Sequence, residues 1–461
     1  MSDTRLNRTY GGNATKGTIS WWIKRSGSGS GFFYKNAPDG ANYAQIQFDS
    51  SDRIECMSVT SSAHTVKRIT KRVFKDVGSW YHFLLVTDFT NATAAYRMRI
   101  YVNGVEIPTA DFEGGGDYAN GSGSDQNNFH YTSGTNDNCI GATTVPNQYF
   151  DGYMAQVVIA HDAVLTPSDF GSTDATTGEW KPKSDGEIRD GVTFGSEGCL
   201  LSFENSSYPG YDYQTSDRSG TTNDYTKTGS GLKSLDNPSN SFATINSLEY
   251  QGGGAIAFVK GNLGYTHDGS GTYLTGWSSL GVSTGKWYCE VKCETVGSAS
   301  TVGFVNADVN PHFKYQGTPG QGANSAGYVN NGAMMKDGSD VYGSGSWTSI
   351  TSGDIVGLAL DLDNGFMYWA HNNTWQNSGD PTSGATGTGG YATSNITASG
   401  TFFFGAGSSG AGEFYYNFGN GWFNTTAVSS AEADGAGQGQ MEYAPPTDYK
   451  VLCTKNIKTY G

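Results

Sequence analysis

Residues 97–107 read RMRIYVNGVEI, two alternating runs about an Asn-Gly pair. Asn-Gly suits a two-residue type I′ hairpin loop because both central residues need positive φ. A loop at Asn103-Gly104 pairs Val102 with Val105 and Ile100 with Ile107. Met98, Ile100, Val102, Val105 and Ile107 then share one face, and Arg97, Arg99, Tyr101 and Glu106 share the other. Turn chemistry and hydrophobic pattern select the same register, so the stretch predicts antiparallel β structure.

A second Asn-Gly, in DLDNGFMYWAHNN (361–373), admits a competing reading as a calcium loop. An EF-type loop counted from Asp361 needs Gly at its sixth position and a bidentate Glu at its twelfth. Here Gly365 is fifth and Asn372 is twelfth, so a hairpin is expected. A two-residue loop at Asn364-Gly365 sets Leu362 opposite Met367, Leu360 opposite Trp369 and Leu358 opposite His371.

The same alternation recurs outward from these turns, in TISWWIKR (18–25), YAQIQFD (43–49), RIECMSV (53–59) and WYHFLLVTD (80–88). Amphipathic helical stretches are almost absent, and aromatics abound (28 Tyr, 23 Phe, 10 Trp). The fold class is all-β, two antiparallel β-sandwiches in tandem. The expected organisation is a first sandwich over 1–232, a connector over 233–250, a second sandwich over 251–425, and a linker with a final strand or assembly tail over 426–461.

A net charge of −15 argues against a nucleic-acid partner, since no basic stripe faces a phosphate backbone. The basic run VKRITKRVFK (66–75) reads as the solvated face of a strand. No apolar run approaches the roughly 20 residues of a membrane span. The N-terminus shows no basic start followed by an apolar stretch, so a cytoplasmically made protein with reduced thiols is expected. Cys289 and Cys293 lie four apart on one strand, about 13 Å, too far to bridge. On that expectation, Asn91-Ala92-Thr93 is turn chemistry and not a glycan acceptor.

Catalytic patterns are missing from the sequence. No Glu-x-Asp-x-x-Glu marks a glycosidase strand, no Gly-x-Ser-x-Gly marks a nucleophile elbow, and the seven histidines are scattered. His82 in WYHFLL reads as a half-buried strand residue. The remaining chemistry is recognition: long Gly/Ser/Asn loops carrying isolated aromatics. The candidate ligand-binding residues are Tyr315, Tyr328, Trp347 and Trp375 in the second sandwich, with Tyr118 and Tyr131 in the first. Packing of each ring onto its sandwich is the competing reading.

GTISWWIKR, WYHFLLV, RIYVNGV, IGA, FDGYMAQVVI and LTPSDF, in that order, resemble the laminin-G-like branch of the concanavalin-A-like jelly rolls over roughly residues 1–230. In LTPSDF, Thr166 and Pro167 read as the cap and first residue of a short helix. The resemblance implies calcium and a glycan or protein ligand at one rim, although no acidic pair here falls in a matching loop. GKWYCEV (285–291), VGF (302–304) and GDIVGLALD (353–361) with the hairpin after it resemble a SPRY domain, a recognition module. His371-Asn372-Asn373 stands where that family usually has Phe-x-x-Asn-Gly.

The two halves, with LDNPSNSFATINSL between them and APPTDYKVLCTKNI after them, resemble bacteriophage virion proteins. That resemblance implies a tail-fibre or capsid-fibre protein at the virion surface, assembled in the host cytoplasm among other virion proteins and binding host glycan or receptor. The alternatives are a purely structural decoration protein and a polysaccharide depolymerase. No heptads supply a stalk, so a homotrimer would draw its contacts from sandwich faces or another subunit.

Overall fold

Strand Lys16–Arg25 is the spine of the first sandwich, with Trp80–Asp88 on one side and Gly152–His161 on the other. The protein is described from a computed structural model over residues 4–12, 14–37, 40–116, 129, 138–143, 148–217, 223–248, 256–269, 273–306, 317–396 and 400–461. The chain divides into two compact units, Met1–Lys233 and Ser234–Gly461. Each is built on two large sheets, antiparallel but for one short parallel pair in the second unit.

In the first unit the six-stranded sheet runs Cys199–Leu201, Gly152–His161, Lys16–Arg25, Trp80–Asp88, Met98–Val102, Val105–Glu106. The seven-stranded sheet runs Thr226–Thr228, Arg5–Arg8, Asn138–Ile140, Gly31–Asn36, Tyr43–Phe48, Arg53–Thr60, Ala63–Val73. Alternation along the spine decides what lies between them: Ile19, Trp21 and Ile23 point into the main core. Trp21 stacks on Phe33 at 4.5 Å and on Phe83 at 5.5 Å, tying the two sheets together. Each such buried ring contributes roughly 1.5–3 kcal/mol.

The other face of the six-stranded sheet is covered as well. Leu84, Tyr101, Val158 and Leu200 pack under Phe170, Ile188, Val192 and Phe194 from the excursion 162–198. That excursion holds the expected short turn, a 3₁₀ helix Pro167–Asp169 capped by Thr166, whose N–H donates to Asp169. It also holds an unexpected helix, Asp185–Gly191, nucleated by a Ser184/Glu187 capping box. His82 is fully buried beneath this cover, not half-buried.

In the second unit a nine-stranded sheet centres on Lys286–Thr295, flanked by Ile355–Asp361 and Gly412–Asn417. The opposing sheet carries Phe402–Ser408, Thr301–Asn306 and Ser325–Val329. Trp287, Val291, Leu358, Leu360, Met367 and Trp369 lie in the core between them. The expected connector and tail belong to this unit. Phe242 bridges Cys453, Ala243 N–H donates to Leu452 O, and Met441, Tyr449 and Val451 bury Tyr288, Ala359 and Tyr368 on the sheet's outer face. YKVLCTKNI is a two-residue parallel strand, Lys450–Val451, followed by a helix, Thr454–Tyr460, not one long strand. The apolar outer face of the sheet needs covering, and the first and last segments of this unit supply it.

The Asn103-Gly104 turn is as expected: φ is 48° and 80°, and Val102 pairs with Val105. The second turn differs by two residues. Leu360 pairs with Met367 and Asp361 with Phe366, leaving a four-residue loop. Asn364 is not left-handed, and only Gly365 is (φ 79°). The Asp361 carboxylate accepts from Asn364 N–H at 2.9 Å and from its side chain at 2.8 Å, closing the wider loop. A two-residue shift keeps every side chain on its expected face.

Candidate functional site

The cover over the first unit's six-stranded sheet leaves one corner open, a surface hollow of about 320 Å³. Period-2 alternation places Val86 and Asp88 on this outer face of one strand, and cross-strand pairing sets Arg99 opposite Val86. Glu106 comes from the edge strand beyond, and Val164 of the excursion forms part of the wall.

The loop 89–97 supplies the rest. Asp88 caps Thr90 N–H at 3.1 Å, Asn91 caps Thr93 N–H at 2.9 Å, and a 3₁₀ turn, Ala94–Tyr96, follows. These Asp and Asn turns are strong local preferences. Two arginines brace the loop: Arg68 donates to Ala95 O at 3.0 Å and Arg97 to Asn91 O at 2.9 Å. The result presents Tyr96 at 53 % exposure, a large ring held out into water.

Electrostatics in the hollow centre on one fork. Arg99 Nε donates to Glu106 Oε1 at 2.9 Å and Nη2 to Oε2 at 2.6 Å, a bidentate pair. The Arg99 hydrogen bond holds the Glu106 carboxyl below its ordinary range, and Glu106 in turn raises Arg99. The guanidinium lies 5.7 Å from the Tyr96 ring centre and 5.2 Å from that of Tyr101. Burial, with Glu106 beside it, raises the Tyr101 phenol to about 12. Among the described residues, Asp88 Oδ2, Asn91 Nδ2, Arg99 Nη1 and the Tyr96 hydroxyl make no protein hydrogen bond. A ring face with acceptor and donor atoms beside it can hold a sugar, whose ring has an apolar face and a polar rim.

The residues expected to bind ligand fall elsewhere. Tyr328 is fully buried, edge-on to Trp347 at 5.1 Å, and its hydroxyl donates to Thr348 O. Trp347 is buried beside Trp369 at 5.7 Å. Both are core residues of the second sandwich, a correction with a plain cause: Tyr328 stands on the inward face of strand Ser325–Val329, and the loop carrying Trp347 folds back to cover apolar surface. Trp375 is half-buried, edge-on to Tyr288 and Tyr368. Tyr118, Tyr131 and Tyr315 lie outside the described residues.

The acidic pair of the second hairpin is structural. Asp361 is buried against Lys286 Nζ at 3.1 Å, and Asp363 accepts from Gly285 N–H at 2.9 Å. Among the described residues no group of three or more His, Cys, Asp or Glu comes together that could hold a metal ion, so the calcium expectation finds no ligand set there. The hollow itself was half legible. Arg99 and Glu106 share the outward face of the first hairpin in sequence, but the Asp88–Tyr96 loop reads as a turn and nothing more.

A family model described as the concanavalin A-like lectin/glucanases superfamily matches residues 5–169, a span that includes every residue of the hollow. No curated protein matches the sequence. Among solved structures the chain is similar to the SPRY domain of human HERC1, at 14% identity over 35% of this chain and 91% of that one, with a TM-score of 0.25. It is similar to a heptameric SAP-like pentraxin from Limulus polyphemus, at 15% identity over 35% of this chain and 71% of that one, with a TM-score of 0.26. Domain 4 of AbnA, an extracellular arabinanase from Geobacillus stearothermophilus solved with arabinotriose, is similar at 17% identity, over 34% of this chain and 65% of that one, with a TM-score of 0.25.

Proposed function

We propose that the chain is a non-catalytic recognition protein that binds carbohydrate in the Tyr96 hollow, displayed on a phage particle where it meets host glycan. The observation that carries the sugar reading is an exposed aromatic ring held rigidly beside unpartnered carboxylate, amide and guanidinium atoms. The concanavalin A-like match over the same residues supports it. Binding in place of catalysis at the hollow is supported by the state of Glu106. A glycosidase needs a general acid that keeps its proton near neutral pH, and Arg99 holds Glu106 ionised. Support for the virion setting is the order of the two sandwich-like halves and their flanking segments in the sequence.

Purified full-length chain applied to a glycan array and to host cells tests the reading. Binding that Tyr96→Ala abolishes is expected. Failure to bind any glycan or cell surface, or release of reducing sugar from capsule, overturns it.

A further inference from the structure

Resting on that reading, we propose that the hollow takes an uncharged sugar ring and that Glu106, by occupying Arg99, is the element that excludes acidic sugars. A uronate or sialate carboxylate is bound best by a guanidinium offering two parallel N–H groups. Among the described residues Arg99 is the one cation lining the hollow, and two of its N–H donors are already spent on Glu106 in that geometry. Three N–H groups remain, two on Nη1 and one on Nη2, enough for neutral hydroxyls. The ion pair with Glu106 has already balanced the guanidinium charge, so a second carboxylate gains hydrogen bonds there without a net charge attraction.

The charge count points the same way. Asp88 and Glu106 set two carboxylates against one guanidinium, inside a chain of net charge −15. An incoming anion meets like charge both at long range and on contact. A neutral ring meets an acceptor at Asp88, donors at Asn91 and Arg99, and the Tyr96 face. Glu106 lies on a two-residue edge strand whose side chains are exposed, so it is not needed to fill the core. Its carboxylate is therefore a specificity residue: it sets which ligand Arg99 is free to hold.

The test measures binding of three full-length proteins, wild type, Glu106→Gln and Tyr96→Ala, to two probe sets by calorimetry. One set is neutral gluco- and galacto-oligosaccharides; the other is oligogalacturonate and sialyl-lactose. Wild type is expected to bind a neutral probe and not the acidic ones. Glu106→Gln is expected to gain acidic probes by roughly tenfold, the scale of a freed charge-assisted hydrogen bond. Tyr96→Ala is expected to lose both. Acidic probes bound by wild type and lost in Tyr96→Ala overturn the inference while leaving carbohydrate binding at the hollow standing. Glu106→Gln with unchanged preference overturns the role of Glu106. No binding of either set by wild type overturns the carbohydrate reading itself, and binding that survives Tyr96→Ala moves the site elsewhere.

Discussion

The two Asn-Gly turns share a dipeptide, an alternating flank and a left-handed glycine, yet they close differently. At Asn103-Gly104 both residues take positive φ, and the chain reverses in two residues. The Asn103 side chain accepts from His82 N–H at 2.8 Å on the neighbouring strand, so the tight turn is braced from the side. At Asn364-Gly365 the brace sits inside the loop: Asp361, paired with Lys286, collects the Asn364 donors and widens the turn to four residues. A turn dipeptide therefore supplies a menu of backbone conformations, and the nearest buried polar group selects from it.

The strongest way to break this comparison is Asp361→Ala. It removes the loop's cap and leaves Lys286 facing a vacated buried site, so the second unit should lose about 3 kcal/mol, the usual cost of orphaning a buried ion-pair partner. Urea unfolding with hydrogen exchange over 355–371 reads this. A loss no greater than that of Asn103→Ala would refute the distinction between the two braces.

Acid should separate the turns next. Burial lowers the His82 pKa from 6.5 to about 3. Its ring accepts from Trp180 Nε1 at 3.0 Å, so the acceptor nitrogen has no room for a proton. The unfolded chain binds that proton more readily, so this contribution is complete above pH 6.5 and is lost as pH falls toward 3. Between pH 7 and pH 5 the first unit should lose about 2 kcal/mol, seen as weaker protection at residues 82–103 relative to the free-amide exchange rate at each pH.

The second unit should move the other way through Glu290. Its carboxyl accepts from the Glu442 and Tyr443 N–H groups at 2.9 and 2.8 Å, yet burial raises its pKa from 4.5 to about 7. The folded state holds this proton more tightly, so the contribution is full below pH 4.5 and is lost as pH rises through about 7. Protection of the 442–443 amides, taken relative to the free-amide exchange rate at each pH, should rise on acidification and become flat with pH in Glu290→Gln.

The glycines give a finer comparison. A Cβ on Gly104 would meet the Trp180 ring at 2.6 Å, whereas on Gly365 its nearest neighbour is Thr393 Oγ1 at 3.3 Å. Both have positive φ, so Gly→Ala should cost about 1 kcal/mol at Gly365 and about 2 kcal/mol or more at Gly104, where a clash adds to backbone strain. Equal shifts in melting temperature would show that the Trp180 contact is slack. The smallest effect on stability is expected from Arg99→Gln on the outer face of the first hairpin. That solvent-exposed pair is worth at most about 1 kcal/mol, so the variant should melt almost normally.

Much of the architecture was legible because strand periodicity is local. WYHFLLVTD became strand Trp80–Asp88, and RIECMSV lies within Arg53–Thr60. The candidate site was legible in part. Alternation placed Arg99 and Glu106 together on the outward face, but burial defeated Tyr328 and Trp347. The polar, glycine-rich sequence around Tyr328 hid a buried strand, and an aromatic in a polar loop such as Trp347 reads the same whether it faces water or the core. Tyr96 was missed for the converse reason: it sits among turn residues, and its loop is held upright by Arg97 from within and by Arg68, which reaches over from another strand to Ala95.

The sequence by itself determined the two sandwiches, the faces of their strands and the position of both turns, since a two-residue period and a glycine's φ are properties of short segments. Tertiary structure decided the rest: which hairpin widened, which rings stayed exposed, and what covered the outer sheets. The segments 234–250 and 426–461 are polar enough to read as linkers, yet Ala243 and Leu452 find each other across more than two hundred residues. Their pairing depends on an apolar sheet face that must be buried and on backbone donors that must be satisfied, and neither demand is written in the segments themselves.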